Sequence, residues 1–197
     1  MGVMSLLNIF LAEDDPVILI GFKMMIQNMG HSVVGEAMDG ESALLSIPKL
    51  DPDLMIMDIN MPKLDGISVL EKLNADNVKI PCIFVTGYRD PKLVKNATEA
   101  GVLGYLQKPI DEYDLKTAIG LAMKHFADME VLRKDAQDAN KALEDRKIID
   151  RAKGMLMESF GLKESDALKA LQKKSRDTNR KLVEVARDML PAGQLIR

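Results

Sequence analysis

The chain has 197 residues, 47% of them hydrophobic, a formal net charge of −3 and one cysteine. This is enough apolar material for one large domain or two small ones, and no apolar run approaches the roughly 18 residues of a membrane span. A lone cysteine excludes a disulfide framework and makes the cytoplasm the expected compartment.

The N-terminal stretch "MGVMSLLNIFLAEDD" lacks a basic region and reaches acids too early for a signal peptide. It begins Met-Gly, but Leu6 stands where N-myristoylation needs Ser or Thr. Short apolar runs at Leu6–Ala12, Ser32–Glu36, Asp53–Asp58, Ile80–Thr86 and Gly104–Leu106 predict strands. Amphipathic stretches beginning near Pro16, Gly40, Gly66 and Pro91, and again after Pro109, predict the helices between and after them. Five βα repeats imply an α/β fold, a doubly wound five-stranded parallel sheet with helices on both faces. The runs "LMIM" and "CIFV" are apolar at every position, as strands covered on both sides should be, and Cys82 is expected to be buried in the second. His31 reads as an ordinary loop residue and His125 as a helix-surface residue.

After Ile110 the strand signal ends. No proline interrupts Asp111–Phe160, which predicts one long helix or two joined end to end. Two shorter helices follow, near Glu164–Ser175 and Arg180–Leu190, with Pro191 and Gly193 ending the last. The expected organisation is an α/β unit over 1–124, a connecting helix over 125–145 and a three-helix all-α unit over 146–197. Residues 1–124 hold 17 acids against 11 Lys and Arg, whereas 125–197 hold 16 Lys and Arg against 13 acids. The split is consistent with an acidic, cation-binding half and a half that meets something anionic.

The predicted strand ends carry the chemistry. Strand one ends in Glu13, Asp14 and Asp15; strand three ends in Asp58, with Asn60 two residues on. Strand four ends in Thr86, and strand five is followed by Lys108. In doubly wound sheets such ends share one edge, which forms the ligand site. Acids crowded there repel unless a cation neutralises them, and hard oxygen donors with an open position suit magnesium. Asp58 can attack a phosphoryl group to give an aspartyl phosphate, with Lys108 and the metal balancing charge on the phosphoryl oxygens and the Thr86 hydroxyl bonding the product.

With these motifs, residues 6–124 resemble the receiver domain of bacterial two-component response regulators. The resemblance implies Asp58 as phosphoacceptor, Glu13, Asp14, Asp58 and the Asn60 carbonyl as Mg2+ ligands, Thr86 and Tyr105 as a switch pair, and Lys108 as the family's lysine. It also implies phosphotransfer from a sensor histidine kinase, slow hydrolysis of the product, and no other enzymatic activity.

In the connecting helix, Met129, Leu132, Ala136, Ala139 and Leu143 are spaced 3, 4, 3 and 4 apart. That is a coiled-coil seam, short of the three or four heptads that make one firm. It predicts either a dimer contact controlled by phosphorylation or a helix packed on its own receiver.

Further on, "RAKGMLMESFGL" places Ala152, Met155, Leu156 and Phe160 on one helical face. With Ile148 and Ile149, with Ala167, Leu168 and Leu171, and with Leu182, Val185, Ala186 and Met189, they predict a small core, Phe160 included. Lys141–Lys181 carries 12 Lys and Arg against 7 acids, a composition that suits nucleic acid or a solvated face alike. The run from Arg146 to Met157, then "SDALKAL" and "NRKLVEVA", resembles the ANTAR domain of transcription antitermination regulators. That implies a dimer on phosphorylation, binding to paired hairpins in an mRNA leader and suppression of a terminator. Arg146, Arg151, Lys153, Lys173, Arg176, Asn179, Arg180 and Lys181 are the candidate RNA contacts. Lys163 and Leu168 depart from the family pattern, which has an N-capping Ser or Thr and an aromatic there. The alternative is a DNA-binding regulator, whose helix-turn-helix would use the short junction near Asp177.

Overall fold

The computed structural model describes residues 6–87 and 91–190, with side chains at 6–87 and 95–190. The N-terminal stretch through Ser5, and Pro191 and Gly193, lie outside the described residues. Strands β1 (Asn8–Ala12), β2 (Ser32–Ala37), β3 (Leu54–Asp58), β4 (Cys82–Thr86) and β5 (Gly104–Gln107) alternate with helices α1 (Pro16–Asn28), α2 (Gly40–Leu50), α3 (Gly66–Ala75) and α4 (Pro91–Glu99). Helices α5 (Glu112–Phe160), α6 (Glu164–Thr178) and α7 (Leu182–Met189) complete the chain. The five strands form one parallel sheet in the order β2-β1-β3-β4-β5.

The inner strands β3 and β4 are buried at every position because helices cover both faces, whereas the edge strand β2 leaves Ser32 and Glu36 exposed. Met55, Met57, Cys82 and Phe84 pack into one layer with residues of α2 and α3, while Ile56, Ile83 and Val85 pack into the other with α1 and the start of α5. Cys82 is buried in β4. Helix starts follow local rules: Asp15 accepts from the Val17 and Ile18 amides with Pro16 in the first turn, and Asp39 and Asp65 cap α2 and α3. Strands begin later than the apolar runs suggest where the backbone is otherwise engaged. The Leu7 amide donates to His31 Nδ1 at 3.3 Å, and Pro81, before β4, has no N–H to give. His31 is therefore no ordinary loop residue: it is 6% exposed and acts as an acceptor, and burial holds its pKa down, aided by Lys116. His125 is exposed.

The long segment is one α-helix of 49 residues. It ends at Gly161, whose φ of 66° a side chain would resist. The described residues divide into two compact units, one up to Met129 and one from Glu130. The second unit packs Ala152 and Leu156 of α5, Ala167 and Leu171 of α6 and Val185 and Ala186 of α7, with Ile148, Ile149, Leu162 and Leu182 at its margin.

Three expectations are corrected here. Phe160 is 72% exposed: it occupies the last position of α5, and the chain turns away at Gly161 before anything covers the ring. Met155 and Leu168 are only half-buried, and Met189 is 36% exposed. Helix α6 runs through Asp177 to Thr178, so the α6–α7 junction is Asn179–Lys181, turning on Asn179 at φ 50°.

So small a core has little redundancy. Leu171→Ala, at a residue 1% exposed, should cost about 2–4 kcal/mol. Hydrogen exchange should then quicken throughout α6 and α7 while β3 and β4 stay protected.

Candidate functional site

The strand order brings the carboxyl ends of β1, β3, β4 and β5 side by side. Glu13 follows β1 and is pinned by its amide to the Ala37 carbonyl (3.0 Å). Asp58 ends β3, and the Lys108 amide bonds the Thr86 carbonyl (2.9 Å), which continues the β4–β5 pairing to the edge. From there the Lys108 ammonium reaches back to Asp58 Oδ2 at 2.6 Å and to both Glu13 oxygens at 2.8 and 2.7 Å. The Asn60 amide donates to Asp58 Oδ1 at 2.9 Å. Both carboxylates are nearly inaccessible, Glu13 at 1% and Asp58 at 6%.

Burial works against the Lys108 charge, but hydrogen bonds and attraction from Asp58 and Glu13 outweigh it and raise its pKa above the ordinary lysine value. Burial pushes the Glu13 carboxyl up, and Lys108 offsets this only in part.

Asp14 is exposed, and oxygens of Glu13, Asp14 and Asp58 lie within 4.8 Å of one another. Three carboxylates against one ammonium leave a formal charge of −2, which a divalent cation neutralises. The donors are hard oxygens, Asp14 opens one side to water, and the backbone of Asn60 meets Asp58 through its amide. The residues fit magnesium. Thr86 ends β4 fully buried, and Tyr105, half-buried in β5, packs on the layer formed with α2 and α3.

Two supports of this edge escaped the sequence reading. A Cβ on Gly66 would run into the Asp58 carbonyl oxygen, and the Gly66 amide bonds the Ile59 carbonyl at 2.9 Å. Glycine lets α3 start directly behind the end of β3; the signal was an Asp-Gly pair before the helix. The second support is a brace between loops. Lys63, at φ 66°, donates to Asp39 Oδ2 at 2.9 Å. The Ser42 amide and that ammonium hold the Asp39 carboxyl at about 2.

In the second unit the expected contacts divide into two kinds. Arg146, Arg151, Lys173, Arg176, Asn179, Arg180 and Lys181 are exposed. The ammonium groups of Lys173 and Lys181 have no hydrogen bond or ion pair among the described residues, whereas Arg180 holds Asp188 at 2.6 Å and Glu184 at 3.4 Å. Lys153 does not project freely to solvent. Its side chain is 14% exposed and bridges Asp150 (2.7 Å) and Glu164 (2.8 Å), tying α5 to the start of α6. The seam residues Met129, Leu132 and Leu143 are 57%, 69% and 56% exposed, and Ala136 and Ala139 are exposed too. No helix among the described residues is long and apolar enough to cross a membrane.

Comparison with known proteins adds to this geometry. Residues 9–120 match the family model of the response regulator receiver domain and residues 137–190 that of the ANTAR domain. The transcriptional regulatory protein PdtaR of Mycobacterium tuberculosis is 34% identical over 183 residues, 93% of this chain and 89% of its own. Among solved structures, a CheY-like receiver domain protein from Methanospirillum hungatei covers 64% of this chain and 99% of its own at 27% identity and TM-score 0.59. The signal receiver domain of NarL from Mycobacterium tuberculosis covers 61% and 98% at 25% identity, also at TM-score 0.59.

Two outcomes follow from the geometry. Gly66→Ala should displace the end of β3 and weaken Mg2+ binding by about tenfold or more, read by calorimetry, with the sheet's circular dichroism retained. The raised Lys108 pKa means that its contribution to stability is complete below 10.5 and is lost as pH rises through the raised value. Above about pH 10.5 the wild-type melting temperature should therefore fall more steeply than that of Lys108→Met.

Proposed function

The chain belongs to the response regulators that join a receiver domain to an ANTAR domain, and we propose that phosphorylation of Asp58 by a sensor histidine kinase drives it to dimerise and bind paired hairpins in an mRNA leader. The observation that carries the first half is the Lys108 ammonium shared by Asp58 and Glu13, with Asp14 within 4.8 Å. An Asp58 carboxylate oxygen attacks the phosphoryl phosphorus as the bond from phosphorus to the donor imidazole nitrogen breaks. Lys108 then has a phosphoryl oxygen to face in place of the free carboxylate, and its positive charge balances the charge that develops there. Glu13, Asp14, Asp58 and the Asn60 carbonyl would hold magnesium, which would supply further positive charge to the site. Thr86 of β4, which pairs with Gln107, and Tyr105 of β5, which pairs with Phe84, respond to the new group and alter the surface near α4. On α1, Val17, Ile20 and Met24 are exposed at positions i, i+3 and i+7, an apolar stripe suited to a helix of the kinase.

The second half rests on the exposed seam and on the cations of the last unit. A second copy covering Met129, Leu132, Ala136, Ala139 and Leu143 removes apolar surface from water and brings two cationic units together. Two weak hairpin contacts then act at high effective concentration. Antitermination follows when the occupied hairpins preclude the terminator, an activity of the cytoplasm, where nascent transcripts are found. The three-residue junction Asn179–Lys181 keeps a helix-turn-helix with duplex DNA as the second reading.

Gel shifts at matched salt decide between RNA and DNA. After acetyl phosphate treatment, wild type should dimerise and shift hairpin RNA in preference to duplex DNA, and Asp58→Ala should do neither. With about four phosphates contacted, RNA affinity should fall on the order of 50-fold between 50 and 200 mM salt. A shift confined to the duplex would favour the DNA reading.

A further inference from the structure

Helix α6 presents Ala170, Lys174 and Thr178 at four-residue spacing, and α7 answers with Val185, Asp188 and Met189. With Arg180 at the turn they line a groove of about 380 Å³. We infer that this groove receives one unpaired base of the bound RNA, an assignment that rests on the RNA reading above and adds to it a specific base-holding surface.

The size is near the lower end for small-ligand sites, about 300–1,000 Å³, and suits a single nucleoside better than a peptide helix. Its walls are a methyl group, a valine and a thioether, which are apolar and polarizable and so fit the flat face of a base. Two of the three are open to solvent: Ala170 is exposed and Met189 is 36% exposed. An occupant would therefore bury surface that the fold itself leaves wet.

The rim supplies the charge. Arg180, one of the lining residues, is held by Asp188 at 2.6 Å and Glu184 at 3.4 Å. That pairing neutralises Asp188 and leaves its remaining carboxylate acceptor capacity for an amino group on a base edge. The Lys174 ammonium has no hydrogen bond or ion pair among the described residues, so it is available to the phosphate of the same nucleotide. The Thr178 hydroxyl donates to the Lys174 carbonyl at 2.7 Å, which leaves its oxygen free to accept. An aromatic ligand carrying an anion matches this arrangement; an acidic peptide would match the cations but not the apolar walls.

The test uses the full chain treated with acetyl phosphate and the tightest hairpin recovered from RNA stem-loops with randomised loops. Each loop nucleotide is then replaced in turn by an abasic one. Wild type should lose on the order of tenfold or more at one position. Ala170→Trp, which fills the groove from an exposed site, should lose as much on the intact hairpin and nothing further on that abasic hairpin. Met189→Ala should weaken the same position, and Lys174→Ala should weaken all hairpins alike while reducing the salt slope by about one. Ala170→Trp binding like wild type, or losses from protein and RNA changes that add independently, would overturn the groove and leave the RNA reading intact. Recovery of no hairpin by wild type would overturn both.

Discussion

Two carboxylates, Glu13 and Asp58, are held almost out of water at the end of the sheet, and the Lys108 ammonium between them is what makes that tolerable. Taking either charge from water costs several kcal/mol in proteins, and their mutual repulsion adds to that. The ammonium answers both carboxylates at once, on hydrogen bonds of 2.6–2.8 Å. It can do so only because the order β2-β1-β3-β4-β5 sets the ends of β1, β3 and β5 along one edge, with β4 carrying β5 into place. With Asp14 counted as well, the residual formal charge of −2 makes the edge a place for a divalent cation, whose charge would then admit a group bearing anionic oxygens.

The second unit solves a different problem, burial with very few residues. Three of its six core positions are alanines, Ala152, Ala167 and Ala186, each at 0% exposure. Small side chains let helices approach closely and leave their outer faces to charged residues. The same economy explains Lys163. It begins α6 without a side-chain cap, but Glu164 and Asp166 place negative charge in the first turn, where the helix dipole favours it. Glu164 is in turn bridged to Lys153. A lysine that composition counts toward nucleic acid is thus spent on joining two helices.

Between these chemistries runs the exposed segment of α5. Its apolar residues keep the 3-4 spacing through Leu143, and the next positions in that phase are Arg146 and Asp150. After that the apolar face shifts to Ile148, Ile149 and Ala152, which belong to the small core. A weak seam would suit the proposed phosphorylation-driven dimer, because a strong one would hold two copies together regardless.

The α/β class, the strand runs and the acids and lysine at the strand ends were legible in the sequence, because period, apolar runs and turn chemistry are local properties. So was the existence of a small helical core, whose spacing is local as well. Tertiary structure decided the rest. Gly66 matters through the Asp58 carbonyl eight residues earlier, His31 through the Leu7 amide 24 residues earlier, and Lys63 through Asp39 on another loop. Phe160 and Lys153 share a helical face with core residues, yet one emerges into solvent and the other is captured by Asp150 and Glu164. Helical phase fixes only the direction in which a side chain leaves its own helix; what meets it there depends on where the next helix begins.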